Sequence, residues 1–484
     1  MNQNTSDIEE SPPMSPVEER QRKLQRELAD KITECCATEE LNALFAMGAQ
    51  ADGEVTRGLT PLHYACHSNN LTAAQVLLST GAKVDAVDEI GCSPLHLCAE
   101  HGYDPLIRLL LTYIDSVRQF EKEVELDENG RYPSRDTIDE PLRQAIKNGH
   151  VSSAQLLLEA GFHPNALYFD GPEITLLTPN DDYYVELLEL LLRFGANPNV
   201  LDRKGLSPLM IAAKRGERGR KAIEILLEHG ADINQQGSSR SDFRTALHYA
   251  VLSGSLSLVR FMIEKGADVQ LPCEYDKPSI LDIAVLKDDP ALIREIVSKG
   301  ADPNRVYTYI GSALHLAACS ILTFQKEILT ILLENGANPN LAHKFSDGSV
   351  LKTPFVEYFR SRDVADKEVV SLLMAYGARV YLRTPSSHQA GQLRNLLKLC
   401  AQGQLDIVAV MLDLAEEDVD VKAVLRFPFP DLVKQHILEM NRSARTLEHL
   451  CRVAIREKVI PLRPGHINAF PIPAHLKKYV LGMI

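Results

Sequence analysis

Short apolar runs alternate with polar turns along most of the chain, and the runs recur at a nearly constant interval. Typical runs are Val76-Leu77-Leu78 and Ile225-Leu226-Leu227, each followed within a few residues by Gly and Ala. The glycines that carry this pattern are Gly81, Gly161 (followed by Phe), Gly195, Gly230, Gly266, Gly300, Gly336 and Gly377. From Gly161 onward the spacings are 34, 35, 36, 34, 36 and 41 residues. Self-similarity at this period predicts one helical unit of roughly 33 residues, repeated along the chain.

A second signature lies about 20–24 residues before these glycines. Its first clear copy is Thr60-Pro-Leu-His-Tyr-Ala65, and variants begin at Ser93, Glu140, Ser207, Thr245, Ser279, Ser312 and Thr353. Thr or Ser suits a helix N-cap, and Pro at the first helical position loses no hydrogen bond. The following Leu and Ala would bury against a second helix, which Gly then ends in a left-handed conformation. Each unit is therefore predicted to be a pair of short helices.

These two signatures match the Thr-Pro-Leu-His-x-Ala consensus, so the chain resembles the ankyrin-repeat proteins. The resemblance implies an all-α fold, an ankyrin-repeat solenoid of about nine to ten units over residues 17–380. A capping helix is predicted at Val17–Cys36, and two helices around Gly403 suggest a degenerate terminal repeat within a 381–440 segment that also forms a linker. Residues 1–16 are polar and are expected to be a disordered tail.

Two insertions break the period. Residues 115–139 lengthen one connection and are acidic, whereas residues 237–244 form a smaller, Ser-rich finger. Insertions in a solenoid fall in loops on one face, which is often the binding face. A solvated charged loop and a contact with a bound protein both remain open for the acidic insertion.

The net charge of −13 opposes binding to nucleic acid or to an anionic membrane, because phosphate contacts need clustered Lys and Arg. The nine cysteines are irregularly spaced and contain no Cys-x-x-Cys pair, which favours free thiols over disulfides or zinc. No stretch approaches 18 consecutive apolar residues, and the N-terminus has no apolar signal segment. We expect a soluble protein of the cytoplasm, with the nucleus left open.

Histidines recur in the repeats, but always at one position: His63, His96, His248 and His315. A residue that recurs in phase with a structural repeat is expected to link neighbouring repeats rather than act as a base or metal ligand. No nucleotide-binding, metalloprotease or hydrolase motif appears in a supporting context. We expect no catalytic residue, no metal and no cofactor, and we expect the array to recognise another protein.

The C-terminus differs from the repeats. Five apolar or small residues fall on one helical stripe: Leu447, Leu450, Cys451, Ala454 and Ile455. Any amphipathic helix would show this stripe, so periodicity alone does not distinguish a core helix from a docking helix. The proline-flanked sequence Phe470-Pro471-Ile472-Pro473 follows 15 residues after Ile455.

Residue identities in this segment carry a second resemblance. Thr-Leu-x-x-x-Cys-x-x-x-Ile is similar to the BC box that binds elongin C, and Phe-Pro-Ile-Pro is similar to the cullin box. Together they resemble a SOCS box over residues 441–484, and the whole chain resembles the ankyrin repeat and SOCS box family. The resemblance implies that Leu447, Leu450, Cys451 and Ile455 bind elongin C. It also implies that Phe470, Pro471, Ile472 and Pro473 face the cullin, although Phe470 departs from the usual Leu.

The resemblance therefore implies a non-catalytic substrate receptor of a cullin-RING ubiquitin ligase. Its expected partners are elongin C with elongin B, cullin-5 with its RING-box protein, and a substrate protein held by the array. A scaffold or inhibitor that recruits no ligase is the main alternative. An enzyme with an unrecognised site and a transcription cofactor are further alternatives.

Overall fold

The computed structural model describes residues 16–114, 140–166, 171–177, 182–270, 278–308, 310–362, 364–380, 391–413, 428–442, 467 and 474–481. The chain divides into two compact units. The first comprises Met1–Ala212 with Arg218–Phe243, and the second comprises Ala213–Glu217 with Arg244–Ile484. The fold is mostly helical, as the sequence predicts. Most of the predicted acidic insertion and N-terminal tail, residues 115–139 and 1–15, lie outside the described ranges.

Up to Phe243 the described α-helices are α1 (Pro16–Thr33), α2 (Thr38–Ala46), α3 (Pro61–His67), α4 (Leu71–Ser79), α5 (Pro94–His101), α6 (Asp104–Tyr113), α7 (Pro141–Lys147), α8 (Val151–Glu159), α9 (Glu173–Leu176), α10 (Tyr184–Arg193), α11 (Pro208–Ala213) and α12 (Arg220–Glu228). Inner helices α3, α5, α7 and α9 pack side by side, and so do outer helices α4, α6, α8, α10 and α12. Each repeat is thus one inner and one outer helix.

Helix α1 covers the first repeat. It packs against α3 and buries Leu28, Ala29 and Ile32. The helix ends at Thr33, before the predicted boundary, and Cys35 follows in a left-handed conformation with φ of 56°. The exposed face of α1 is charged, which suits a terminal cap of a stacked array.

After Phe243 the described α-helices are α13 (Ala246–Ser253), α14 (Leu256–Glu264), α15 (Ile280–Leu286), α16 (Pro290–Ser298), α17 (Ala313–Cys319), α18 (Gln325–Glu334), α19 (Pro354–Ser361), α20 (Lys367–Ala375), α21 (Gly391–Ala401), α22 (Leu405–Asp413), α23 (Asp431–Arg442) and α24 (Ala474–Leu481). A two-stranded antiparallel hairpin, β1 (His343–Lys344) and β2 (Val350–Leu351), precedes α19. The two helices predicted around Gly403 are confirmed as α21 and α22.

Core packing in the second unit follows the repeat. Leu314 and Ala317 of α17 are fully buried, as expected for the Leu and Ala of the consensus. Helix α19 instead fills its core with three aromatic side chains, Phe355, Tyr358 and Phe359. The Phe355 and Phe359 rings meet edge to face with centroids 5.2 Å apart, an arrangement that aromatic pairs prefer. Larger side chains thus replace the small ones where the consensus is lost.

Glycine ends the outer helices as the sequence predicts. Gly81 and Gly300 have φ of 93° and 94°. The amide that follows each glycine bonds back into the helix, as when Ala82 N donates to the Leu77 carbonyl at 3.0 Å. This pairing satisfies a carbonyl that the helix end would otherwise leave exposed. The same turn then directs the chain into the next unit.

Candidate functional site

The recurring histidines join neighbouring repeats. In the first repeat the Thr60 amide donates to Nδ1 of His63 at 3.1 Å, so Nε2 carries the proton. His63 Nε2 then donates to the Cys92 carbonyl of the next repeat at 3.0 Å. His315 makes the same pair of bonds, with Ser312 N at 3.2 Å and with the Lys352 carbonyl at 2.8 Å. The predicted structural role is therefore confirmed for His63 and His315.

These imidazoles are neutral because they are buried. Burial lowers the pKa of His63 and His315, although each ring donates a hydrogen bond to a backbone carbonyl, which favours the charged form and raises the pKa. Burial, aided by the charge of Arg244, lowers the pKa of His248 to about 4. A neutral ring that both accepts and donates one hydrogen bond is a structural link, and it is not poised as a general base near pH 7.

Two repeats fill the histidine position with a charged residue. Arg143 is buried, and its Nη1 donates to the Gly171 carbonyl of the next repeat at 3.0 Å. This bond reproduces the one that a histidine at this position makes to the following repeat. Asp282 reproduces the local link, since the Ser279 amide and hydroxyl donate to its carboxylate at 2.9 and 2.7 Å. Burial raises the pKa of Asp282, and the Ser279 bonds oppose that shift. The position is therefore defined by its hydrogen bonds and not by imidazole chemistry.

Asparagine forms a second link between repeats, which the sequence reasoning did not identify. Asn304 Nδ2 donates to the Gly336 carbonyl of the next repeat at 2.9 Å, and its Oδ1 accepts from the Asn338 amide at 2.7 Å. Equivalent pairs of bonds are made by Asn165, Asn199 and Asn340. The signal in the sequence is an Asn four residues after the repeat Gly.

The asparagine and histidine hydrogen bonds hold neighbouring repeats in a fixed arrangement. Among the residues that the structure describes, no group of three or more His, Cys, Asp or Glu side chains could hold a metal ion. No helix in the described ranges is long and apolar enough to cross a membrane. The repeats present an exposed surface, and the hydrogen bonds between them hold it in one arrangement.

Part of that surface is apolar where loops would be expected to be polar. Leu286, Ile321, Phe324, Val364 and Leu405 are exposed by 55%, 89%, 50%, 69% and 42%. All five lie between the inner and outer helix of a repeat in the second unit, or at the helix ends that flank this connection. Sequence reasoning missed them because each is a single apolar residue in or beside a short loop, and its neighbours in sequence do not reveal its exposure.

The predicted docking residues of the C-terminus lie outside the described residues. These are Leu447, Leu450, Cys451 and Ile455 for elongin C, and Phe470, Pro471, Ile472 and Pro473 for the cullin. Nearby, α23 packs against α22 and buries Val433 and Ile437. Ile467, Val480 and Leu481 form a small buried cluster, so Ile467 lies against the end of α24.

Family models match both parts of the chain. Ankyrin repeats match residues 34–120 and 178–273, a further ankyrin repeat matches 312–344, and the SOCS box matches 443–481. The chain belongs to the ankyrin repeat and SOCS box family. Ankyrin repeats and SOCS boxes are typically modules of non-catalytic adaptors, and these matches indicate no catalytic domain.

The similar proteins include one that is named for both ankyrin repeats and a SOCS box. The chain is 29% identical over 178 residues to ankyrin repeat and SOCS box protein 14 of Mus musculus, covering 37% of this chain and 29% of the relative. It is 30% identical over 257 residues to the B-cell lymphoma 3 protein homolog of Mus musculus, covering 51% and 52%. The chain thus spans about half or less of the length of these relatives.

Among solved structures, the human ASB11 ankyrin repeat domain is similar, with 20% identity and a TM-score of 0.39. The match covers 50% of this chain and 98% of that one.

Proposed function

We propose that this protein is the substrate receptor of a cullin-RING ubiquitin ligase of the elongin B/C and cullin-5 type. The observation that carries the proposal is a SOCS box at residues 443–481 in the same chain as the ankyrin repeats. The SOCS box is the module that implies elongin and cullin binding in general. The array holds the substrate, and the box brings the ligase to it.

Elongin C is assigned to the stripe of Leu447, Leu450, Cys451 and Ile455. Spacings of three and four residues place these side chains on one face of a helix. Burying each large aliphatic side chain stabilises the complex by about 1.5–3 kcal/mol, so Leu447 and Ile455 would dominate the contact. Cys451 is small and lets the helix approach its partner closely.

The cullin is assigned to Phe470, Pro471, Ile472 and Pro473. Two prolines fix the backbone on either side of Ile472, so little conformational entropy is lost when this edge binds. Phe470 stands where the family pattern has Leu, and it makes the cullin contact differ from that of other members.

The array contributes proximity and not chemistry. Its histidine and asparagine links hold neighbouring repeats in one arrangement, as the bonds of His315 and Asn304 show. A rigid platform loses little entropy on binding. A substrate held on it would have its lysines close to the conjugating enzyme that the ligase recruits, which raises the effective concentration of the reacting groups.

Purified full-length protein mixed with elongin B–elongin C tests the proposal by co-elution and calorimetry. Wild type is expected to form a stable ternary complex, whereas Leu447→Asp and Cys451→Phe should each weaken it at least tenfold. Matched controls are Leu432→Asp and Cys35→Phe, which place the same changes at exposed positions of the described chain. Unfolding of the array by urea checks that each variant is folded.

If the wild-type protein does not bind elongin C, the ligase assignment is wrong, and the scaffold or inhibitor alternative is favoured. A separate arm adds cullin-5 to the ternary complex. Phe470→Leu is expected to tighten this step, and Pro471→Ala with Pro473→Ala is expected to weaken it while elongin binding is retained.

A further inference from the structure

Five of the exposed large apolar residues share one place in the fold. They are Leu286, Ile321, Phe324, Val364 and Leu405, and together they are called the apolar edge. Leu286 ends α15, Ile321 and Phe324 lie between α17 and α18, Val364 lies between α19 and α20, and Leu405 begins α22. One or two large apolar side chains are thus exposed at the same connection of four consecutive repeats.

Stacking of the repeats brings these connections together. Inner helices α15, α17, α19 and α21 pack in succession, and outer helices α16, α18, α20 and α22 do the same. The connection from inner to outer helix therefore lies on one side of the second unit in all four repeats. Exposed apolar residues that lie together, unlike single scattered ones, mark surfaces that bind other proteins.

Hydrogen bonds between adjacent connections hold the apolar edge in shape. The Asp288 carboxylate accepts from the Thr323 amide at 2.6 Å and from the Phe324 amide at 3.0 Å. Further along, the Ala365 amide donates to Gln402 Oε1 at 3.2 Å, and Gln404 Nε2 donates back to the Ala365 carbonyl at 3.1 Å. The edge is a preformed surface, and a partner would not have to order it.

Charges beside the apolar edge nearly cancel. Residues 287–289, 320–327, 360–368 and 401–406 contain five basic and seven acidic residues in a chain of net charge −13. Two ion pairs between repeats border the edge: Lys326 Nζ lies 2.7 Å from Glu368 Oε2, and Lys367 pairs with Asp406. Because the five basic residues nearly balance the seven acidic ones, these segments give no strong field that would select a polyanion or a strongly basic segment. The complement of the apolar edge is an apolar face flanked by residues of both signs.

The distance between successive repeats indicates which kind of partner segment fits the apolar edge. Packed helices lie roughly 8–10 Å apart, so successive repeats present their apolar side chains at about that interval. In an α-helix, residues seven positions apart lie about 10.5 Å apart on one face. We propose that the apolar edge binds an amphipathic helix of a partner protein, lying across the four repeats with large apolar residues seven positions apart. Four contacts at this spacing need a helix of about 22 residues.

This inference goes beyond the ligase assignment, because it names the surface and the type of segment that the array binds. Only the further step, that the partner is a substrate, rests on the proposed function. Elongin binding tests Leu447, whereas helix binding tests Ile321, so the two can fail separately.

The probe is a fluorescein-labelled 22-residue peptide of Ala, Glu, Lys and Gln with Leu at every seventh position. Its control has the same composition, with the leucines distributed around the helix. Anisotropy titrations use the full chain as wild type, Ile321→Asp/Val364→Asp and the milder Ile321→Ala/Val364→Ala. Val87→Asp/Ile90→Asp is the matched control, because it changes two exposed apolar residues of the first unit.

Wild type and the first-unit control are expected to bind the spaced peptide at least tenfold more tightly than the rearranged peptide. The Asp variant should lose at least tenfold in affinity and the Ala variant less, with urea unfolding unchanged. Equal affinity for both peptides, no binding of either, or an Asp variant that binds as wild type would each overturn the proposal. Sedimentation that finds a wild-type dimer abolished by Ile321→Asp/Val364→Asp would overturn it in favour of a second copy of this chain.

Discussion

Glu368, on α20, lies 2.7 Å from the ammonium group of Lys326 on α18, the outer helix of the preceding repeat. The same relationship recurs along the second unit, in the pairs Arg260–Glu295, Arg294–Glu327 and Lys367–Asp406. Three outer helices carry a basic residue followed directly by an acidic one, so the acid pairs with the previous helix and the base with the next. The pairs form a ladder that runs across the outer helices and favours one alignment of the repeats.

Reversing one charge of the ladder should have a small effect with a distinctive pattern. Lys326→Glu places a carboxylate beside Glu368, and we expect a loss of about 0.5 kcal/mol in the free energy of unfolding because both side chains are exposed. The double variant Lys326→Glu/Glu368→Lys should recover most of it. Urea unfolding at low and high salt measures both. A double variant no more stable than the single one would show that the pair contributes nothing.

The hydrogen bonds of Asn304 should contribute more to the free energy of unfolding than the ion pairs do. Asn304→Ala removes the donor to the Gly336 carbonyl and the acceptor for the Asn338 amide, both at a partly buried junction. We expect a loss of about 1–3 kcal/mol, because two backbone groups lose their partners. Asn304→Asp keeps the acceptor and should cost less. The control is Asn335→Ala, whose side chain bonds only to the Ile331 carbonyl of its own helix. Equal unfolding free energies for Asn304→Ala and Asn335→Ala would contradict this view.

Acid should destabilise the second unit through His248. The unfolded imidazole has a pKa of about 6.5, whereas burial lowers the folded pKa of His248 to about 4. Between these values the unfolded chain binds the extra proton, so stability is full above pH 6.5 and falls as the pH drops towards 4. The free energy of unfolding falls by an amount on the order of 2 kcal/mol by pH 4.5. The pKa values of His63 and His315 are also lowered in the folded chain, so they act in the same direction.

The check is urea unfolding at pH 7.5, 6.0 and 4.5 for wild type and His248→Gln. The variant is less stable at pH 7.5, because the Thr245 amide now lacks its ring acceptor, but its free energy should fall less steeply with acid. Parallel curves for the two proteins would remove His248 from the explanation.

Backbone conformation alone should make Gly300 hard to replace. Its φ is 94° and an added Cβ would meet no atom within 4 Å, so crowding plays no part. Gly300→Ala is expected to cost about 1–2 kcal/mol, because side chains disfavour the left-handed region. Gly300→Asn should cost less, and the control Lys299→Ala, at φ of −92°, should cost little. Thermal and urea unfolding of the three variants measure these losses. A loss for Lys299→Ala as large as that for Gly300→Ala would contradict the backbone explanation.

Local features were predictable from the sequence and distant pairings were not. The Thr60 cap, the Pro61 start and the Gly81 stop each depend on a few neighbouring residues, so the helices follow from the motif. The SOCS box was also predictable, because it is recognised from a short continuous sequence pattern. The family match at residues 443–481 confirms it. Its docking residues stay a prediction.

What the sequence did not reveal depends on partners 28 to 42 residues away. The forward bond of Arg143 to Gly171 and the Lys326–Glu368 pair exist only because repeats stack in one register. The apolar edge was missed for the same reason. Ile321 looks like an ordinary loop residue until the stack shows that nothing in the described chain covers it and that Val364 occupies the next position.

The asparagine link has a consequence for how such a chain can change length. Asn304 bonds to Gly336 in the same way that Asn340 bonds to Gly377. Removal of residues 305–340 would therefore bring Asn304 opposite Gly377, with its donor and acceptor both matched again. The asparagine bonds at these two junctions are equivalent, so the loss of a whole repeat would leave this link between neighbouring repeats intact. Selection is then free to adjust the exposed edge while the joints stay the same.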